Sequence, residues 1–272
     1  MSTARVVCLL VSLCSMAHGA ISPADLNALV IDAVAFLEPG SSKAEDYACT
    51  YRNIRKEFDA NGKVKSEQLT LAHRTFRDGF AVYEVLERNG RTLDLREQKE
   101  QEDKIRKQLA EARSMSKGDI EKRRKKSAES SGFIAELPDA LQFKVVGEDV
   151  VDKRSVLVVD AEPRPGYRAR NMKAKLFEKL KAKLWIDSTD RQLVKAEAET
   201  FDTVSLGLGV LGKVEKGTRF AMHRIKLPDG TWVVDSQGIR FAARIMLVKW
   251  MNQEMSSQIS DFRHKSQASA SR

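Results

Sequence analysis

Between residues 45 and 88, apolar and polar side chains alternate in three runs, EDYACTYRNIRKEFD, KVKSEQLTLAHRTFR and FAVYEVLER, separated by Asn61-Gly62 and Asp78-Gly79. A period of two sends successive side chains to opposite faces of a strand, and Asn-Gly or Asp-Gly supplies the positive φ of a tight hairpin. The stretch therefore predicts a three-strand meander. Beyond a charged segment the alternation resumes in LQFKVVGED, SVLVVDAE, LWID, QLVKAEAETFDTVSL, KVEKGTRFAMHRIKL, TWVVDSQ, GIRFAARIMLVKW and MSSQISDFR, with Asn89-Gly90 and Asp229-Gly230 as further turns. Roughly ten strands joined by short turns imply a mainly β fold with helical additions, a curved antiparallel sheet or half-open barrel.

Three stretches depart from this period. SPADLNALVIDAVAFLEP opens on Ser22-Pro23, a cap with proline at the first helical position, and carries Leu26, Val30, Ala33, Val34 and Leu37 on one stripe, which predicts a helix lying on the sheet. RNMKAKLFEKLKAK, Arg170 to Lys183, sets Met172, Leu176, Phe177 and Leu180 on a narrow apolar edge among lysines, the pattern of a lid-like helix. The third, residues 94–130, is a charged helical insert. From Asp94 to Glu129 it has 12 basic and 9 acidic residues, many of opposite sign three or four apart, and it ends in the basic run Lys122 to Lys126. Ile105, Leu109 and Ala112 form its one apolar edge, and SMSKGD breaks it at Gly118, with Ser116 or Asp119 to cap a second helix. Heptads are absent, so the insert reads as solvated rather than as a coiled coil.

The N-terminus changes the picture of where such a chain works. MSTARVVCLLVSLCSMAHGA has Arg5, an apolar run from Val6 to Ala17, and an A-x-G site at Ala17 to Gly19, the pattern of a signal peptide over residues 1–19. Cleavage there leaves 20–272 as a single β domain, periplasmic or secreted, and lowers the formal charge from +9 to +8 because Arg5 departs. Outside the cytoplasm a basic balance points to an anionic membrane surface or polysaccharide rather than to nucleic acid. Cys8 and Cys14 leave with the signal, and Cys49, without a His or Asn context, reads as a small buried strand residue.

Motifs for catalysis are weak. Gly207-Leu208-Gly209-Val210-Leu211-Gly212 matches G-x-G-x-x-G, yet strand-like KGTRFAMHRI follows where a dinucleotide site needs a helix, so no cofactor is expected. His73, His223 and His264 are too scattered for a zinc pattern, and no metal is expected. Glu197 and Glu199 alternate with Ala196 and Ala198, which marks a wet face over a packed one rather than an acid and base pair. No G-x-S-x-G is present. The chain reads as a non-enzymatic protein.

An export signal, an amphipathic helix, YACTY, PRPGYRAR, KLWID and KGTRF together resemble exported bacterial proteins of the lipoprotein carrier, or Lol-like, superfamily that sorts outer-membrane lipoproteins. The resemblance implies a half-open antiparallel barrel whose concave face, closed by a helix, accepts acyl chains. SVLVVDA is apolar on both faces, and Ile239, Phe241, Ala243, Ile245 and Leu247 share one face of GIRFAARIMLV, with Met246, Val248 and Trp250 extending the apolar signal to the other. The candidate lipid-binding residues are accordingly Leu157, Val159, Phe177, Leu180, Trp185, Phe241 and Ile245. The function so implied is binding of lipid or lipoprotein acyl chains in the cell envelope. The alternative is an envelope sensory or scaffolding module that holds another protein through the sheet or the charged insert.

Overall fold

The computed structural model describes residues 21–37, 43–77, 80–206, 212–245 and 249–268. The signal-peptide reading, the Asp78-Gly79 turn, most of the glycine motif, and Met246 to Val248 lie outside them. The chain forms one antiparallel sheet of thirteen strands. In chain order these are β1 (Tyr47–Phe58), β2 (Val64–Arg77), β3 (Phe80–Arg88), β4 (Arg91–Thr92), β5 (Leu141–Val151), β6 (Arg154–Pro163), β7 (Leu180–Asp187), β8 (Leu193–Thr200), β9 (Val204–Leu206), β10 (Gly212–Val214), β11 (Arg219–Lys226), β12 (Trp232–Ile245) and β13 (Lys249–His264). The main path runs β4-β3-β2-β1-β13-β12-β11-β8-β7-β6-β5, so the sheet curves without closing and the first long strand lies beside the last. TWVVDSQ and GIRFAARI are one continuous strand, β12, because Gly238 keeps its place in the ladder opposite Ser256.

The described turns follow the local chemistry. Asn89 and Gly90 both take positive φ, 52° and 74°, as a two-residue hairpin between β3 and β4 requires, and Gly62 and Gly230 do so at 78° and 88°. Helix α1 (Pro23–Val34) starts where the sequence places it, with the Ser22 hydroxyl accepting from the Asp25 amide at 3.1 Å. Leu26, Leu29, Val30, Ala33 and Val34 are buried against Val159, Leu184, Ile186 and Leu193. Each large side chain so buried contributes roughly 1.5–3 kcal/mol. Ala35–Leu37 continue as a 3-10 turn.

Two expectations about helices are corrected. Residues 170–183 contain no lid helix: Ala174–Lys179 form a 3-10 turn, and β7 starts at Leu180. The spacing of Leu176, Phe177 and Leu180 mimics a helical edge, but Leu180, Ala182 and Leu184 alternate with Lys181 and Lys183, and the strand period wins because both neighbours, β6 and β8, supply ladder partners. The insert is two helices, α2 (Leu95–Ser114) and α3 (Lys117–Ser131), and α2 is not merely solvated. Ile105 and Leu109 bury against Val82 of β3, while the Gln101 amide accepts from the Val85 amide at 2.7 Å and donates to the Val85 carbonyl at 3.2 Å. The helix thus occupies backbone groups of β3 that no strand pairs. The break between the helices falls at Met115 and Ser116, whose hydroxyl caps α3, and Gly118 lies in the first turn.

Candidate functional site

The face of the sheet that α1 covers is built from two parallel rows of cross-strand neighbours. One runs Phe143, Ala161, Ala182, Ala198, Phe220, Ile239, Met255 across seven strands, and the other runs Val145, Val159, Leu184, Ala196, Met222, Gln237, Ser257. Opposed residues on one face stand about 4.5–5.5 Å apart, so each row is a continuous contact. Ala161, Ala182, Ala196 and Ala198 are the smallest members, and their short side chains lower the floor between the bulkier ends. α1 fills part of the resulting furrow, and the 3-10 turn after it puts Leu37 on the rim.

What remains open is a groove of about 590 Å³ over β8, β11, β12 and β13, lined by Leu37, Ala196, Ala198, Phe220, Met222, Ile239 and Met255. That volume is within the roughly 300–1,000 Å³ of small-molecule sites. Its polar members, Gln237 and Ser257, lie on the β12–β13 side, where the Ser257 hydroxyl donates to Asn53 Oδ1 at 2.6 Å. The lining is apolar otherwise, with no carboxylate and no ammonium among the lining residues.

One end of the trough is sealed by a second cluster. Phe177 is 3% and Leu180 7% exposed, packed with Ala140, Leu141, Ala161 and Ala174 and bordered by Ala198 and Phe220 of the groove. Glu136 holds the seal together: its buried carboxylate accepts from the Tyr167 hydroxyl at 2.5 Å, from the Arg170 amide at 3.0 Å and from the Asn171 side chain. Burial and the adjacent Glu136 carboxylate push the Tyr167 phenol up from its ordinary value, so it stays protonated and donating. Phe133 stacks on Phe177 with ring centroids 5.8 Å apart. Residues 133–141, including the short helix α4 (Leu137–Ala140), thus form a fixed end wall.

The opposite face is different in kind. Lys183 pairs with Asp160 at 3.1 Å, Lys181 with Glu162 at 2.9 Å, Lys195 with Glu197 at 2.8 Å and Arg219 with Glu199 at 3.1 Å. Glu197 and Glu199 are the wet side of the strand whose alanines floor the groove. At one end of this face Val156, Val158, Trp185 and Val194 form a small core.

The seven candidate residues are therefore dispersed. Leu157 and Val159 face α1, and Val159 is fully enclosed beneath it. Phe177 and Leu180 belong to the end wall. Trp185 is on the far face, its indole N–H donating to Asp149 at 3.3 Å and its ring under the Lys195 ammonium at 4.3 Å. Phe241 shares the face and strand of Ile239, one pair beyond the groove, opposite Gln253. Ile245 pairs with Lys249 and Gly212 through its backbone, and its side chain is outside the described residues.

No protein-family model and no curated protein matches the sequence. Solved structures with a similar fold include a putative outer-membrane lipoprotein-sorting protein domain from Vibrio parahaemolyticus, at 11% identity and TM-score 0.36 over 88% of this chain and 92% of that one. A DUF1329 family protein from Desulfovibrio piger matches at 11% identity and TM-score 0.32 over 90% and 94% of the two chains. A LolA superfamily protein from Nitrosomonas europaea matches at 9% identity and TM-score 0.29 over 90% and 94%.

Sequence reasoning missed Phe220, Met222 and Met255 as groove residues. The first two carry a signal, since RFAMHRI puts Phe220 and Met222 on one face, but only the pairing of β11 with β8 and β12 brings them to the alanines and Ile239. Met255 sits among polar neighbours in QEMSSQ and has no signal of its own. Histidines do not converge: His223 lies between Asp235 at 2.7 Å and Asp152 at 3.0 Å, and no group of metal-binding side chains occurs among the described residues. Cys49 is buried, and that burial pushes its thiol up, which leaves it a poor nucleophile. No described helix is long and apolar enough to cross a membrane.

Proposed function

We propose that the protein is an exported, non-enzymatic carrier that holds an acyl chain of a lipid or lipoprotein in the groove over Ala196 and Ala198. The observation that carries this reading is the groove itself: an open furrow with apolar walls and an alanine floor on a strand face that could have been filled by larger side chains. An apolar surface of that kind favours an occupant with no hydrogen-bonding needs along its length, which describes a hydrocarbon chain. The periplasm suits a carrier of this type, and the signal-peptide pattern and the Lol-like motifs of the sequence support that placement.

The test is a titration of a fluorescent fatty acid into delipidated mature protein, beside the variant Ala198→Trp. Ala198 borders the end wall, so the indole would fill the furrow from that end, on the face away from the charged pairs. Saturable binding at micromolar ligand that is lost in Ala198→Trp, with an unchanged thermal melt, is the expected result. No saturable signal in the parent protein would remove the carrier reading, and a protein co-purifying with an empty groove would favour the scaffold.

A further inference from the structure

Arg224 has no counter-charge among the described residues. It follows Phe220 and Met222 on β11, with a bulge at His223–Arg224, and is 3% exposed. Its Nη1 donates to the Leu193 carbonyl at 3.2 Å and to Gln192 at 3.3 Å, its Nη2 reaches the Trp232 carbonyl at 3.5 Å, and its Nε has no partner. The guanidinium lies 3.7 Å from the centre of the Phe36 ring. No carboxylate among the described residues pairs with it. An arginine buried without an anion is expensive, because desolvation of the charge is repaid only by a paired charge or a full set of hydrogen bonds. Here burial pushes the guanidinium down to about 10.

The same guanidinium borders a cavity of about 330 Å³ together with Asp32, Phe36, Lys43, Gln192 and Trp232. Asp32, the carboxylate of that set, is engaged at 3.0 Å by Arg191. Lys43 is exposed and has no carboxylate partner among the described residues. Asp190, which receives the Trp232 indole N–H, is neutralised by Arg154 at 2.9 Å and Lys226 at 2.7 Å. The cavity therefore presents two cations whose charge nothing described cancels.

Its place relative to the groove gives it a purpose. Phe36 and Leu37 are adjacent in the 3-10 turn after α1; Leu37 lines the groove and Phe36 the cavity. Met222 of the groove and Arg224 are two residues apart on one strand, about 7 Å along it. From this we infer that the cavity is the headgroup site of the acyl groove, taking a carboxylate or phosphate on Arg224 and Lys43, so that the protein selects anionic single-chain amphiphiles over neutral ones. The inference rests on the acyl-chain reading. Arginine suits the role because its fork of N–H donors gives an oxyanion charge-assisted bonds at fixed geometry.

The experiment titrates mature, delipidated protein with cis-parinaric acid and separately with its methyl ester, which keeps the chain and removes the charge. The expected result is that the acid binds at least about tenfold more tightly than the ester. That ratio should fall to near one in Arg224→Met and by part in Lys43→Gln, with ester affinity unchanged. Lys43 is exposed, so its variant reports even if Arg224→Met fails to fold. Saturable binding of acid and ester with equal affinity would overturn the headgroup site and leave the groove reading standing, whereas failure of both to bind would remove the groove reading itself. Displacement of the acid by millimolar inorganic phosphate, with ester binding unaffected, would show a free-anion site and overturn the link to the chain.

Discussion

α1, 12 residues long, meets the sheet through Leu26, Leu29, Val30, Ala33 and Val34, none more than 7% exposed, whereas α2, with 20 residues, meets it through Ile105 and Leu109 and otherwise through polar groups. α1 lies on a face and fills volume. α2 lies at an edge, where the Gln101 amide satisfies the Val85 backbone groups that a strand would have used, and ion pairs add to the contact: Arg77 with Glu84 at 2.6 Å and Glu102 at 2.7 Å, and Arg88 and Arg91 with Glu97 at 3.2 and 2.8 Å. Burial is nondirectional and not subject to charge screening, while exposed ion pairs contribute little singly and are screened. α1 should therefore be inseparable from the fold, and α2 a cover that protects one edge of it.

The sharpest break in that contrast is Val30→Asp, which places a charge where the side chain is fully enclosed. Stability should fall by on the order of 4 kcal/mol or more, read as a collapsed urea midpoint or loss of soluble protein. Replacing Asp94 to Ser130 by a short Gly/Ser linker should cost less, about 2–4 kcal/mol for the lost burial of Ile105 and Leu109, and leave a cooperative melt. The exposed β3 edge should then lose hydrogen-exchange protection and form dimers on size exclusion; a non-cooperative melt would show that the insert is integral after all. Gln101→Ala should cost about 1–2 kcal/mol, with faster exchange concentrated at Val85.

The smallest effect is on acidification. The Asp94 backbone amide, with Arg91, holds the Glu97 carboxyl below its ordinary value, and Glu97 completes the capping box of α2. Because the folded value is depressed, the contribution is present above the ordinary glutamate range of about 4.3 and is lost as pH falls through the lower folded value. Amides at the start of α2 should lose protection in that window while those of α1 do not; equal loss in both would erase the distinction.

How far these differences could be read in the sequence depends on whether the cause was local. Ser22-Pro23 and Asn89-Gly90 act on their own backbone, and both appear as read. The α1 stripe was legible because burial repeats at a helical period. Residues 170–183 were misread because four apolar residues at mixed spacing satisfy either period until the neighbouring strands are known. The role of Gln101 carries no signal, since a glutamine in a charged helix looks the same whether it faces water or a strand edge. Site residues fared worst for the same reason: the furrow exists only where Ala182, Ala198, Phe220 and Ile239, spread over four strands, come into one row.

The junction of β1 with β13 sets Tyr47 opposite His264, residues more than two hundred positions apart in the chain. Adjacent hairpins such as β5–β6 and β6–β7 close small loops and can form as soon as their residues exist, but the β1 seam must wait for the final strand. Loop closure over that span is slow and late, and pairings this distant in sequence place the fold among those that assemble in roughly milliseconds to seconds rather than microseconds. A nascent chain released before residue 249 would carry β1, β2 and β3 as a detached ribbon with no partner on the β1 side, held off from its neighbours only by the charged cover on β3.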